Sequence, residues 1–476
     1  MRLPLTAQYS SLPDGFYAAL APTPVKEPSF IAVNDALAEV LQLNPADLRS
    51  SAGLDVLSGN AVAEGSTPLS MVYSGHQFGH WSGQLGDGRA ILLGEAATKD
   101  GTVYDIQLKG AGRTPYSRGG DGRSALGPVI REYVMSEAMH ALGVPTTRAL
   151  AGVRTGEMVV REGLLPGGIF TRVARSHVRV GTFQHFAAQK NNDALSALVA
   201  FCIKRLDPSE AGLESPEAAA FLLRRTVERQ AHLIATWMSL GFIHGVMNTD
   251  NMAISGETID YGPCAFMDGF DPETVYSSID RQGRYAYQNQ APIAHWNLAC
   301  LASALLPLLS EDEDTAVSTA QEIVDGFGGL FKAAYLEAFR VKLGLKDPSE
   351  DDESLIAAVL GWMAQDLRDF TNTFRALSHN AIDMTQDDAL KTLAQRWGEG
   401  GVLERRAAML KVNPAYIPRN HQVEKAIRAS VDEADDGPFH ALNTVLSRPY
   451  ETQDGAEIYA QPPLPNEIVH QTFCGT

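Results

Sequence analysis

The sequence predicts an α+β protein in which a β-rich amino-terminal lobe precedes a larger helical carboxy-terminal lobe. From residue 71 to about residue 123 glycine is dense, and short runs of β-forming residues occur at 90–93 and 103–108. Beyond about residue 185, apolar residues recur at helical spacing. The 476 residues allow about three domains at ~150 residues each, or one two-lobed enzyme.

The predicted elements follow in order along the chain. In the run 103–108 apolar and polar residues alternate, which predicts a strand with one buried face. A helix over 126–142 ends at the Gly-Val-Pro of 143–145. Further strands are expected at 148–153 and 157–161, and long helices at 218–240, 296–309, 314–343, 353–378 and 383–397. We therefore divide the chain into an amino-terminal extension packed on the lobes (1–70), a β-rich lobe (71–183) and a helical lobe with a carboxy-terminal tail (184–476).

Composition excludes several classes of protein. Lysine and arginine number 39 against 57 aspartate and glutamate, a net charge of −18 that argues against a nucleic-acid partner. Four scattered cysteines have no zinc-ligand spacing and are too few for a secreted disulfide scaffold. The start lacks a long apolar signal core, and the apolar run 298–309 is shorter than the ~20 residues that span a bilayer. We expect a cytoplasmic protein without membrane contact.

The first block that could carry chemistry is the glycine-rich stretch 74–89. Glycines let backbone N–H groups approach a phosphate closely, and Arg89 adds positive charge. The alternative is an ordinary glycine-rich turn. His76 and His80 are four residues apart, a metal-ligand spacing only on a helix, and so many glycines make a helix and a metal pair unexpected here.

The second block is 107–123, in which Lys109 ends an apolar strand. A lysine is costly to bury without an anionic partner, and Glu132 and Glu137 on the next helix are candidates. A strand lysine paired with a helix glutamate resembles the ion pair by which protein kinases hold nucleotide phosphates. The alternative is a lysine that simply reaches solvent at the end of its strand.

The third block is the most specific. Residues 241–252 carry Asp250 and Asn251, and Asp260 follows one short strand later, which is the order of the catalytic and metal loops of kinases. Asparagine and aspartate oxygens suit Mg²⁺, although these residues also favour ordinary turns. A fourth block, 170–181, contains Arg172 and Arg179, which are seven residues apart. They could face one way on a helix, flank one site or be solvated separately. There is no His-Arg-Asp triplet, so an ordinary protein kinase is not expected.

Together the blocks 74–89, 107–123, 171–183, 244–263 and 282–286 closely resemble the selenoprotein O family of kinase-like proteins. The resemblance implies a two-lobed protein-kinase-like fold that binds ATP in an inverted orientation. It implies transfer of AMP to Ser, Thr or Tyr hydroxyls of proteins, with release of pyrophosphate.

The same resemblance assigns roles to individual residues. Asp250 matches the catalytic base, while Asn251 and Asp260 match the ligands of Mg²⁺ or Mn²⁺. Lys109 matches the phosphate-binding lysine, with Glu132 as its helix partner. The remaining matched positions all contact the nucleotide; they are Gly86, Gly88, Arg89, Asp121, Gly122, Arg172 and Arg179, together with Asp260. So many cations on the terminal phosphates would stabilise a pyrophosphate leaving group.

Two alternative functions remain open from the sequence. One is an ordinary γ-phosphoryl kinase acting on a protein or a small molecule, and the other is an ATP-binding scaffold without activity. The Asp250 and Asp260 set argues against the scaffold, since binding alone needs no base. The positions of the arginines decide between the two enzymes.

The last candidate is Cys474, third from the carboxyl end. It matches a terminal selenocysteine or cysteine of the family that can bridge to a cysteine downstream of the metal loop. Here that position holds Tyr276, and Cys264 is the only nearby substitute, in apolar surroundings typical of a buried thiol. We expect no intramolecular bridge from Cys474.

Overall fold

A computed structural model describes residues 1–398 and 400–473, and it confirms the α+β class with an amino-terminal antiparallel sheet and a mostly helical carboxy-terminal region. The strands are β1 (Tyr17–Ala19), β2 (Ser29–Val33), β3 (Leu69–Met71), β4 (Gly75–Gln77), β5 (His80–Ser82), β6 (Ala90–Ala97), β7 (Val103–Lys109), β8 (Ser124–Ala125), β9 (Arg148–Val160), β10 (Leu164–Ala174), β11 (Phe242–Ile243) and β12 (Ala265–Phe266). The helices are α1 (Asp35–Val40), α2 (Pro45–Leu48), α3 (Ser51–Leu57), α4 (Leu126–Ala141), α5 (Val180–Ala188), α6 (Asn192–Leu206), α7 (Glu217–Leu240), α8 (Gln290–Leu309), α9 (Glu313–Lys342), α10 (Asp352–Gln365), α11 (Phe370–Ser378), α12 (Asp388–Trp397), α13 (Val402–Leu410), α14 (Asn420–Asp432), α15 (Gly437–Leu446) and α16 (Glu457–Ala460).

The main sheet has eight strands in the order β1-β3-β6-β7-β10-β9-β2, with β8 paired to β10. Its neighbouring strands are antiparallel. The runs 148–153 and 157–161, expected as two strands, form the single strand β9, which pairs with β10 as a long hairpin. Strands from the first 71 residues complete both edges of the sheet.

Apolar side chains cover both faces of this sheet. One face packs on α1 to α3 and includes Ile106 and Leu108 of β7. The other face packs on α4 and joins the large core of the helical region. The alternation in β7 predicted one buried face, but its polar positions Asp105 and Gln107 are buried as well. Their burial is tolerated because each side chain is bonded to a buried arginine, Asp105 to Arg205 and Gln107 to Arg172.

The helix expected over 353–378 is two helices, α10 and α11. Asp369 lies between them and caps α11 by accepting a hydrogen bond from the backbone N–H of Asn372 at 2.7 Å. Aspartate is a favoured residue at such a cap because its oxygen satisfies an otherwise unpaired helical N–H. The chain therefore turns at 366–369 although apolar residues continue on both sides.

One helical stretch corrects the expectation about apolar length. Residues 287–309, a short turn continued by α8, are long and apolar enough by composition to span a membrane, with a mean hydropathy of 1.4. Core helices of globular proteins pass the same test, and α8 packs between α5, α7 and α9. Its Gln290 and Asn297 are fully buried and bond the backbone of Phe242 and Met247. These contacts indicate a core helix.

A buried cluster of three charged side chains connects the sheet to the helical region. Arg205 of α6 donates to the Asp105 carboxylate on β7 at 2.7 Å and lies 3.5 Å from the Glu95 carboxylate on β6. All three side chains are almost fully buried. Such a cluster is stable only while each charge keeps its partner.

We predict that Arg205→Met lowers the free energy of unfolding by ~3–5 kcal/mol, because two buried carboxylates lose their cation. The measurement is a denaturant titration, with Arg224→Ala on an exposed face of α7 as the matched control. A free energy for Arg205→Met within ~0.5 kcal/mol of the unsubstituted protein would contradict this account of the cluster.

Candidate active site

A cleft of about 820 Å³ lies between the sheet and the helical region. Every described residue that the sequence singled out for nucleotide, metal or catalysis lines it. These residues are Gly86, Gly88, Arg89, Lys109, Asp121, Gly122, Glu132, Arg172, Arg179, Asp250, Asn251 and Asp260. Residues up to 174 positions apart in the sequence thus meet in one cleft, since 260 minus 86 is 174.

The carboxylate of Asp260 is the centre of the charged groups. Its Oδ1 accepts from Lys109 Nζ at 2.6 Å and from an Arg172 guanidinium nitrogen at 3.0 Å. Its Oδ2 accepts from Arg179 at 3.3 Å. Burial by itself would raise the pKa of Asp260, but the three cations hold it well below its usual range. Asp260 is therefore an anion at neutral pH.

Local structure explains how the cations converge. Lys109 is the last residue of β7, and its Nζ also donates to Glu132 Oε2 on α4 at 2.6 Å. Arg172 lies on the neighbouring strand β10 opposite Gln107, and Arg179 precedes α5 as its N-cap. The seven-residue spacing of the two arginines is thus not a helical spacing; strand and helix end place them on one site.

Buried Gln107 holds Arg172 in place and is itself bonded to buried Asp87. Neither residue had a role assigned from the sequence. Gln107 Oε1 accepts from Arg172 at 2.7 Å, and Gln107 Nε2 donates to Asp87 Oδ2 at 2.8 Å. Tyr73 contacts the other arginine. The guanidinium carbon of Arg179 lies 4.5 Å from the centroid of the Tyr73 ring, which is a cation–π contact. Alternation along β7 places Gln107 on the same side of the strand as Lys109, but it does not show that this side contacts a buried arginine.

Asp250 lies on the single helical turn Thr249–Asn251 and is 7% exposed. Its Oδ2 accepts from Gln77 Nε2 at 3.1 Å, whereas its Oδ1 is buried without a hydrogen-bond partner. Burial raises the pKa of Asp250 to about 6, against the opposing charge of Arg179. A carboxylate with a pKa near neutrality and one unpaired oxygen, on a residue that lines the cleft, suits a general base.

The residues expected to hold a divalent cation have suitable chemistry for it. Asp260 supplies carboxylate oxygens, and its side chain is partly exposed to the cleft. Asn251 donates its amide Nδ2 to the Val246 carbonyl at 3.0 Å, which leaves the amide oxygen as its ligand atom. The described residues contain no ready-made cluster of three His, Cys, Asp or Glu side chains for a metal. An oxygen set of this size fits Mg²⁺, which retains waters and takes phosphate oxygens.

The glycine-rich loop forms one wall of the cleft. Gly86 has φ +89°, and a Cβ atom there would lie 2.5 Å from Cγ of Tyr116. Asp121, at the rim, forms a two-bond pair with Arg161, at 2.9 and 3.0 Å. Arg161 also lines the cleft and was not assigned from the sequence.

The two histidines of the glycine-rich block lie on two paired strands and not on one helix. His76 lies on β4 and His80 on β5, so the helical spacing that a pair would need is absent. The His76 ring bonds the Gln184 side chain at 2.9 Å instead. The expectation of no metal at these residues stays without a direct test.

The carboxy-terminal tail lies beside the segment that follows Asp260. Thr472 N–H donates to the Tyr276 carbonyl at 2.8 Å, and the Thr472 carbonyl accepts from Ser278 at 3.1 Å. Cys264 is buried, and burial raises the pKa of its thiol to about 12. Cys474 lies outside the described residues, so the expectation that it forms no intramolecular bridge stays a prediction.

Comparison with known proteins identifies the family. The sequence profile described as "Protein adenylyltransferase SelO" matches residues 1–447. The chain belongs to this family. It is 54% identical to the protein nucleotidyltransferase YdiU of Rhodopseudomonas palustris strain BisB5 over 492 aligned positions, which cover 100% of both chains. The YdiU protein of Methylorubrum populi is 53% identical over 99% of both chains, and that of Rhizobium etli is 52% identical over 98% of this chain and 96% of its own. The selenoprotein O resemblance is therefore confirmed, and the chain is a protein nucleotidyltransferase of the SelO type.

We predict that Gly86→Ala weakens ATP binding about tenfold or more, because the new Cβ collides with the base of the Tyr116 ring and displaces the cleft wall. Gly119→Ala is the matched control: Gly119 has φ +85°, close to that of Gly86, but open space where the Cβ would lie. Both variants share the backbone strain, so only the collision differs. The measurement is titration calorimetry with ATP, and equal affinities for the two variants would contradict the prediction.

Proposed function

We propose that this chain is a Mg²⁺- or Mn²⁺-dependent protein adenylyltransferase with a two-lobed protein-kinase-like fold. It transfers AMP from ATP to Ser, Thr or Tyr hydroxyls of proteins and releases pyrophosphate. The observation that carries the proposal is the convergence of Lys109, Arg172 and Arg179 on Asp260, in the same cleft as Asp250. The lobe boundaries at residues 70 and 183 and a cytoplasmic location remain part of the proposal.

The reaction needs a base and a stabilised leaving group. Asp250 accepts the hydroxyl proton while that oxygen forms a bond to the α-phosphorus of ATP. The bond from the α-phosphorus to the bridging oxygen of the β-phosphate breaks, and the electron pair leaves with pyrophosphate. Lys109, Arg172 and Arg179 bind the departing phosphates and stabilise their charge. A divalent cation held by Asn251 and Asp260 would add Lewis-acid polarisation of the phosphate oxygens.

The remaining cleft residues bind the nucleotide. Gly86, Gly88 and Gly122 form a wall without side chains, which admits close contact with the backbone. Arg89 and the Asp121–Arg161 pair supply charge at the rim. We assign the inverted orientation of ATP to this arrangement, with its terminal phosphates on the buried cations.

We predict that ATP labelled at the α-phosphate transfers its label to protein in the presence of Mg²⁺ or Mn²⁺, whereas γ-labelled ATP does not. The reason is that the buried cations stabilise pyrophosphate rather than a transferred γ-phosphoryl group. The measurement is autoradiography of protein after each incubation. Label from the γ-phosphate alone would replace the adenylyltransferase with a kinase, and no label from either would favour a scaffold.

We also predict that Asp260→Ala removes the metal-dependent part of ATP binding, while Asp250→Ala spares most binding and removes turnover. Asp260 holds the cation and the basic side chains, whereas a base matters chiefly when the hydroxyl loses its proton. Calorimetric titration with ATP, with and without Mg²⁺, measures binding, and transfer of label from α-labelled ATP to protein measures turnover. Full activity of Asp250→Ala would exclude Asp250 as the base.

A further inference from the structure

The hairpin of β4 and β5 has no role in the reaction as proposed. It precedes the glycine-rich wall of the cleft and pairs Gly75–Gln77 with His80–Ser82. Its first strand and tip lie directly on the helical turn that carries Asp250, about 170 residues further along the chain. These long-range hydrogen bonds hold the hairpin against that turn.

Three successive residues of the hairpin bond three successive residues of the catalytic segment. The backbone N–H of His76 donates to Thr249 Oγ1 at 2.7 Å. The backbone N–H of Phe78 donates to Asn248 Oδ1 at 3.0 Å. Between them, the Gln77 side chain reaches Asp250. The two backbone bonds therefore fix the strand on either side of Gln77.

The approach is also close in space. A Cβ atom on Gly75 would lie 2.9 Å from Thr249 Oγ1 and 3.3 Å from Cβ of Asp250. Tyr285 donates its hydroxyl to Asn248 Oδ1 at 2.6 Å. The hairpin cannot move relative to the turn without breaking the hydrogen bonds from His76, Gln77 and Phe78.

The bond from Gln77 has a definite polarity. A carboxylate only accepts, so the amide presents its Nε2 to Asp250 Oδ2 at 3.1 Å. This bond occupies one oxygen and fixes the plane of the carboxylate. Oδ1 is left buried and without a partner. We infer that Gln77 is the positioning residue of Asp250, which holds the carboxylate in the orientation that accepts the hydroxyl proton.

This inference rests on the proposed role of Asp250 as base. Its test uses Gln77→Met, which keeps the length and loses the donor, and Gln77→Glu, which replaces the donor with a like charge. We expect kcat for AMP transfer to fall about tenfold in Gln77→Met and further in Gln77→Glu, because the reacting oxygen loses its orientation. The ATP dissociation constant should stay within about twofold, since ATP binding does not depend on this bond. His80→Ala, at the exposed position paired with Gln77, is the control and should keep the unsubstituted rate.

A double-mutant cycle separates positioning from a general structural effect. If Gln77 acts through Asp250, adding Gln77→Met to Asp250→Ala lowers the residual rate no further. An equal fold-loss in both backgrounds, an unchanged kcat in the single variants, or a loss confined to ATP binding would overturn the inference. Activity retained by Asp250→Ala alone would refute the proposed base itself. The two failures are thus distinguishable.

Discussion

The carboxylate of Asp260 is the anion that allows two buried arginines and a partly buried lysine to lie together. Lys109, Arg172 and Arg179 all donate to it, and the two arginines are almost fully buried. Buried cations are stable only with close anionic partners, so the arrangement depends on Asp260 and on Glu132 beside it. In the proposed function, the phosphates of ATP, which carry the same kind of charge, take over these partners. The site is therefore assembled before the nucleotide arrives.

The fold serves this arrangement by bringing four separate elements to one point. The neighbouring strands β7 and β10 carry Lys109 and Arg172, and α4 carries Glu132. Arg179, at the start of α5, bonds both the Asp260 carboxylate and the Asp250 carbonyl, the latter at 2.7 Å. One guanidinium therefore joins the cluster around Asp260 to the turn that carries Asp250.

Much of the fold and of the site could be predicted from the sequence, because local patterns carry it. Periodicity predicted the α+β order, the motifs around Lys109 and Asp260 indicated a kinase-like site, and the family resemblance assigned the other residues that meet in the cleft. What escaped were contacts between distant segments: alternation in β7 could not show that Gln107 faces a buried arginine rather than solvent. The contact of Gln77 with Asp250 likewise depends on a hairpin that packs on a loop 173 residues away. The length of the α8 region was underestimated because its buried amides interrupt the apolar run.

The orientation of ATP is the central claim of this account. A crystal structure of the complex with a non-hydrolysable ATP analogue and Mg²⁺ tests it most directly, through the phosphorus atom nearest to Asp250 Oδ1. We expect the α-phosphorus there, with the terminal phosphates on Lys109, Arg172 and Arg179. A γ-phosphorus nearest to Asp250, with the α-phosphate on the buried cations, would contradict the account.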